Sequence, residues 1–185
     1  MATMNAAEVT VGAAKVTGAI YVADTDTALP TDTTTSLTNY TLLGYTSDEG
    51  VQISESISTE DISAWEGRTV VYNVTTEYTE SVAFTPIQCN ADVAKLTWGE
   101  GNVTVDSQTG AIHAKHTGAT MEPVHVVIET APRAGIVKRY CMKAQLVERG
   151  EQTLDGTQID ARQLTFNCLA DANGVTMHEY TAFTA

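Results

Sequence analysis

Hydrophobic and polar residues alternate along much of this chain. Val51, Ile53 and Ile57 fall at odd positions, and Gln52, Ser54, Ser56 and Ser58 fall between them. This period of two predicts a strand with one buried face. Glu55 interrupts the apolar series. A carboxylate on a buried face requires a partner, a bend or a subunit interface. The polar stretch Thr59–Gly67 follows, with a single tryptophan, Trp65, and reads as a long hairpin loop. Arg68–Tyr78 resumes as a strand rich in Val, Thr and Tyr, residue types that suit a pleated surface.

The same reading predicts a strand over Lys15–Ala23, with Val16, Ile20 and Val22 on one face. Asp24–Asn39 is a Thr/Asp-rich loop with too little apolar content to bury itself. Asn90–Trp98 is the one helix, with Asn90 as its cap and Gly99 at its end. Short strands at Asn102–Val105 and Gly110–Lys115 pair through a turn at Asp106–Thr109. Longer strands follow at Pro123–Ala131, Ile136–Arg149 and Gln158–Leu169, the second carrying Lys138, Arg139, Lys143 and Arg149. Asn173-Gly174 signals a hairpin into Val175–Tyr180. The expected fold is mostly β, with about eight to ten strands and one short helix (about 90–98), arranged as a two-sheet sandwich or barrel. It forms a single domain over 1–185, with a flexible N-terminal arm (about 1–13) and a short C-terminal tail (about 181–185).

At 185 residues the chain is long enough for a substantial core. Its formal net charge of −13 opposes sequence-specific binding of free nucleic acid, which needs Lys and Arg on phosphates. Cys89, Cys141 and Cys168 are widely spaced and form no CxxC pair; Cys141 and Cys168 lie in apolar runs as expected reduced core residues. His113 and His116, three apart on a strand, point to opposite faces, and Asp24 and Asp26 lack the rest of a calcium loop. No metal and no cofactor is therefore expected. Cys141 with His125 is the one nucleophile–base pairing conceivable on paper, and both fall in core strands. The chain is not expected to be an enzyme. No basic, then apolar, leader opens it and no run reaches membrane-spanning length, so synthesis in a reducing cytoplasm is expected.

The order of features resembles the major tail (tail tube) proteins of long-tailed bacteriophages over about residues 14–180. The most specific part is the strand opening at Gly50-Val51, followed by Ile62-Ser63-Ala64-Trp65-Glu66-Gly67, with the helix ending in Trp98-Gly99 further on. The Thr-rich stretch 24–39 departs from the pattern. The resemblance implies a non-enzymatic virion protein that forms hexameric rings. These stack into a β-barrel channel through which DNA passes without specific binding. It further implies a tape measure protein, a tail terminator and tail-tip proteins as partners. On this reading Glu60, Asp61, Ile62, Trp65 and Glu66 are candidates for ring stacking. Gln52, Ser54, Ser56, Ser58, Asn73, Thr75 and Glu77 are candidates for the channel wall, where acidic residues repel phosphate. The competing expectations are a type VI secretion-like tube protein and a β-sandwich carbohydrate-binding or adhesion module. A metal-dependent cupin- or lectin-like enzyme using His113, His116 or His125 is a third.

Overall fold

The structure, a computed structural model, describes residues 4–5, 9–133 and 135–183. Among the described residues ten strands and one α-helix follow one another: β1 (Ile20–Asp24), β2 (Thr41–Leu42), β3 (Thr46–Ser63), β4 (Val70–Pro86), α1 (Ala91–Trp98), β5 (Val103–Val105), β6 (Ile112–Ala114), β7 (Val124–Arg133), β8 (Ile136–Arg149), β9 (Leu164–Leu169) and β10 (Met177–Phe183), with a single 3-10 turn at Glu100–Asn102 after the helix. Seven strands form one antiparallel sheet in the order β2-β1-β7-β8-β9-β4-β3, and β10 also pairs with β8. β5 and β6 form a separate ribbon through the expected turn, which Asp106 caps by accepting from the amides of Gln108 and Thr109.

The large sheet curls round its own core. Its two ends, β2 and β3, are joined by only three residues, Leu43–Tyr45. At ~3.5 Å per residue, the last residue of β2 and the first of β3 can be no more than about 14 Å apart. Ile20 and Leu43 from one end pack in the same cluster as Val82 and Phe84 from the other, with Ile128, Met142 and Phe166 between them. This is the mostly β, barrel-like architecture that the alternation predicts. The ends do not seal: a cleft of about 700 Å³ lies between the segment 12–20 and the start of β3. The helix forms where expected, with Asn90 Oδ1 accepting from the Val93 amide at 2.7 Å, and it contributes Leu96 to the core.

Several boundaries differ from the sequence reading. The first strand begins at Ile20, because a turn closed by Gly18 N–H to Lys15 C=O (3.0 Å, Gly18 φ +132°) breaks it and leaves Val16 fully exposed. The expected strand Gln158–Leu169 is paired only from Leu164. The Asn173-Gly174 turn makes no hairpin. β9 and β10 both run antiparallel to β8, against its residues 143–149 and 136–142 in turn, and so lie in line. Asp171 closes a small loop between them, its carboxylate accepting from the amides of Asn173 and Val175. β10 continues through Phe183, so the stretch 181–183, expected as a tail, is paired with β8; residues 184–185 lie outside the described residues. Much of the expected arm 1–13 also lies outside them, although Ala13 C=O accepts from the Ala131 amide.

The Thr-rich loop forms a second layer. On the face of β7 and β8 turned away from the core, His125, Val127, Glu129, Arg139 and Cys141 are all buried. Arg139 donates Nη1 to the carbonyls of Asp32 (2.7 Å) and Thr35 (2.9 Å), pinning the loop over the sheet. Its Nε and Nη2 grip Glu129, which also binds Lys15 Nζ at 2.7 Å. His125 Nδ1 contacts Thr27 C=O, and Tyr40 donates to Ala28 C=O. The Asp32 carboxylate accepts from the backbone and hydroxyl groups of Thr34 and Thr35, which holds its pKa down at about 2. Polar side chains and one buried cation thus order a loop that has little apolar material of its own.

Candidate functional site

β3 and β4 are the longest strands, and only part of their length belongs to the body. β4 pairs with β9 over Ser81–Phe84 alone. Beyond that, β3 and β4 continue as a two-stranded arm from Glu55 and Glu80 to a turn at Ala64–Thr69. At ~3.3 Å per residue, the eight steps from Glu55 to Ser63 project about 26 Å. The expected loop 59–67 is therefore shorter: Thr59–Ser63, including Glu60, Asp61 and Ile62, is strand paired with β4. Gly67 (φ +68°) and Arg68 (φ +54°) both take left-handed conformations at the tip. For Arg68 that costs about 1 kcal/mol, so the turn is tight and specified rather than a slack excursion.

Glu55 marks the place where the arm leaves the body. It is exposed and stands directly opposite Glu80, which is buried and accepts from Thr176 Oγ1 at 2.5 Å. Adjacent carboxylates repel one another, so Glu80 is satisfied within the fold and Glu55 is left to solvent. Past this pair the described residues of the arm, 56–63 and 65–79, are all exposed. Ile53, Ile57 and Tyr78 are exposed on the face continuous with the core, and Ile62, Tyr72 and Val74 on the other. Trp65 at the tip is 94% exposed. Apolar residues grouped on an otherwise solvated arm mark an interaction surface.

The register sorts the candidate channel residues. Residues paired across the ribbon share a face. Ser58 pairs with Glu77, which joins the face of Gln52, Ser54 and Ser56. A register shift follows: Thr59 pairs with Thr75 and Asp61 with Asn73. The extra residue, Thr76, bulges and reverses the parity of β4 beyond it. Asn73 and Thr75 therefore lie on the opposite face, where Asn73 Nδ2 donates to Asp61 Oδ1 at 2.5 Å. Five of the seven candidates come together and two do not.

Two groupings were not anticipated. One is the Lys15–Glu129–Arg139 cluster under the loop. The other is at the C-terminus of α1, where Trp98 stacks on His116 (centroids 3.5 Å apart, planes at 10°). The guanidinium carbons of Arg149 and Arg162 lie 4.9 and 5.2 Å from the Trp98 ring. The basic run in β8 hinted at both, since it supplies Arg139 and Arg149.

The residues considered for chemistry are spread apart. His116 is held on Trp98, His113 lies opposite Thr104 in β6, and His125 contacts the loop carbonyl. Burial pushes the Cys141 and Cys168 thiols up to about 12, so neither is a thiolate at neutral pH. No group of three or more metal-ligating side chains occurs among the described residues, and none of their helices is long and apolar enough to cross a membrane.

No curated protein matches the chain. A family model described as phage tail tube protein matches residues 2–182. Its members are structural components of the virion tail and are generally non-enzymatic. A mostly β body with one short helix agrees with that assignment. The chain belongs to the phage tail tube protein family.

Proposed function

We propose that this structural subunit closes into hexameric rings that stack into a tube, and that DNA passes along the lumen during infection. The observation that carries the reading is the β3–β4 arm, which exposes apolar residues on both faces and leaves β3 as an unpaired sheet edge. A long open edge is an aggregation hazard for a free monomer. Ring closure would pair it, and head-to-tail stacking would then extend rings into a filament through heterologous contacts. On one face of the arm the stretch nearest the body, with Gln52, Ser54, Ser56, Ser58 and Glu77, is polar and acidic, which suits a wall past which phosphates must slide, while the same face turns apolar towards the tip at Ile62, Tyr72 and Val74. Trp65, with Glu60, Asp61, Ile62 and Glu66, is assigned to ring stacking, and Asn73 and Thr75 to the arm's other face. A tape measure protein, a tail terminator and tail-tip proteins are the partners this role requires.

The test is negative-stain microscopy of the purified protein over a concentration series, with Trp65→Ala alongside. Rings and tubes of even diameter are expected from the natural chain. The variant should keep its circular dichroism and lose tubes, because a side chain 94% exposed contributes almost nothing to its own fold. Tubes that form equally well with alanine at this position would remove Trp65 from the stack. Absence of the protein from the tube of assembled tails would sink the reading itself.

A further inference from the structure

We propose that the acidic tip of the β3–β4 arm of one copy docks on the Trp98–Arg149–Arg162 cluster of a second copy. The inference rests on the tube reading and names the surface that receives the arm.

Three observations lead to it. The first is position. β4 runs from the tip towards the body, ending at Pro86, and α1 begins five residues later. β4 and β8 are each antiparallel to β9, so they run the same way, and Arg149 ends β8 at the end of the body where β4 also finishes. Arg162 lies two residues before β9, whose first residue pairs with Phe84 near that end of β4. Tip and cluster therefore sit at opposite ends of the molecule. β4 alone spans about 50 Å at ~3.3 Å per residue, so an arm cannot reach the cluster of its own chain. A contact between them must join two copies head to tail, the arrangement that produces a filament.

The second is charge. In a protein of net charge −13, the exposed arm 52–79 carries Glu55, Glu60, Asp61, Glu66 and Glu77 against the single cation Arg68. The cluster concentrates two guanidinium groups on one ring, and among the described residues neither forms an ion pair with a carboxylate. Glu100 binds Lys95 and Asp160 accepts from Gln152, and among the described residues Glu148 and Glu151, which flank Arg149 in sequence, form no ion pair with either guanidinium.

The third is an unfilled hydrogen bond. Arg149 donates Nε to Thr97 C=O at 2.6 Å, while its Nη2 is buried with no acceptor. Arg162 donates Nη2 to Gln152 Oε1. A buried guanidinium nitrogen left unpaired is costly, so the Arg149 charge is poorly compensated within its own chain; the partly buried Arg162 offers the guanidinium fork that suits an incoming carboxylate. The exposed Trp65 beside Glu66 supplies an aromatic for the rim of the same patch.

The experiment is sedimentation velocity at low and high salt on four full-length proteins: the natural chain, Arg162→Glu, a Glu60→Lys/Asp61→Lys/Glu66→Lys arm variant, and the two combined. The natural chain should self-associate, less at high salt. Each charge reversal should weaken association at least about tenfold, since like charges facing one another at an interface are strongly unfavourable. Circular dichroism should not change. Combining the reversals should recover a large part of the loss, and Arg162→Lys should behave nearly as the natural chain. Association of Arg162→Glu equal to that of the natural chain would overturn this contact and leave the tube reading standing. Loss in each variant without recovery in the combination would overturn the pairing of these two surfaces. A natural chain that never associates would overturn both.

Discussion

Replacing Arg139 with methionine tests whether one buried cation holds the outer layer of the fold. Arg139 is 3% exposed and Glu129 2% exposed, and they are joined by two hydrogen bonds of 3.0 and 2.5 Å. Methionine fills much of the same volume without charge, so the main effect is a carboxylate left in a dry site. Removing one partner of a buried pair costs about 3–5 kcal/mol. Lys15 remains 2.7 Å from Glu129 but is itself 41% exposed, so it compensates only in part. The carbonyls of Asp32 and Thr35 lose their donor, yet both residues are exposed and can turn to water. The expected loss is therefore about 3 kcal/mol, at the low end of that range. For a chain of this size it should lower the melting temperature by roughly 6–12 °C. Urea unfolding followed by circular dichroism measures it, with hydrogen exchange at residues 30–36 reporting release of the loop. Adding Glu129→Leu should return much of the stability, because two apolar residues leave no stranded charge. A loss below about 1 kcal/mol for the single variant, or a double variant less stable than the single, would refute the reasoning.

Three further outcomes follow from the same packing. Burial alone would push the Glu129 carboxyl up, but hydrogen bonds from Lys15 and Arg139 outweigh it and hold the group below the ordinary carboxylate range. Its contribution is complete above the unfolded value and is lost as pH falls through the folded one. Stability should thus decline below about pH 4, and less steeply in Glu129→Gln, by urea midpoints at each pH. Phe84 and Phe166 stack in the core with centroids 5.3 Å apart, so Phe166→Ala should cost about 3–5 kcal/mol and Phe166→Leu much less, by the same unfolding assay. Cys89 is exposed while Cys141 and Cys168 are buried, so a thiol reagent should modify one cysteine per folded chain and three after unfolding.

The sequence pattern revealed element types better than their ends. Asn90, Gly99 and the apolar spacing between them specify α1, because a cap is a local interaction and the evidence for it lies within one turn. The strand Ile136–Arg149 was legible for a similar reason: apolar and polar residues alternate locally over Met142–Leu146. Failures came where the deciding partner is remote. Asn173-Gly174 marks a turn correctly, but whether the flanking strands pair with each other or with β8 depends on residues between 15 and 47 positions earlier. The loop 24–39 lacks apolar residues and looks unable to order. It orders because Arg139, more than a hundred positions later, donates to its carbonyls.

The arm shows most clearly what alternation can and cannot say. Period two correctly located β3, but it implied that Val51, Ile53 and Ile57 face a core. Val51 packs against one, whereas Ile53 and Ile57 are exposed. A strand whose apolar face stays exposed carries the same signature as one that buries it in its own chain, since alternation records only which residues share a face. Glu55 was the discriminating residue, because it sits where the apolar series passes out of the body. The bulge at Thr76 then separates Asn73 and Thr75 from Glu77, and no count of odd and even positions in β4 alone detects it. Only the partner strand defines a bulge. The candidate wall could thus be read along β3, where the register is regular from Val51 to Ser58, and not along β4, where the parity changes halfway to the tip.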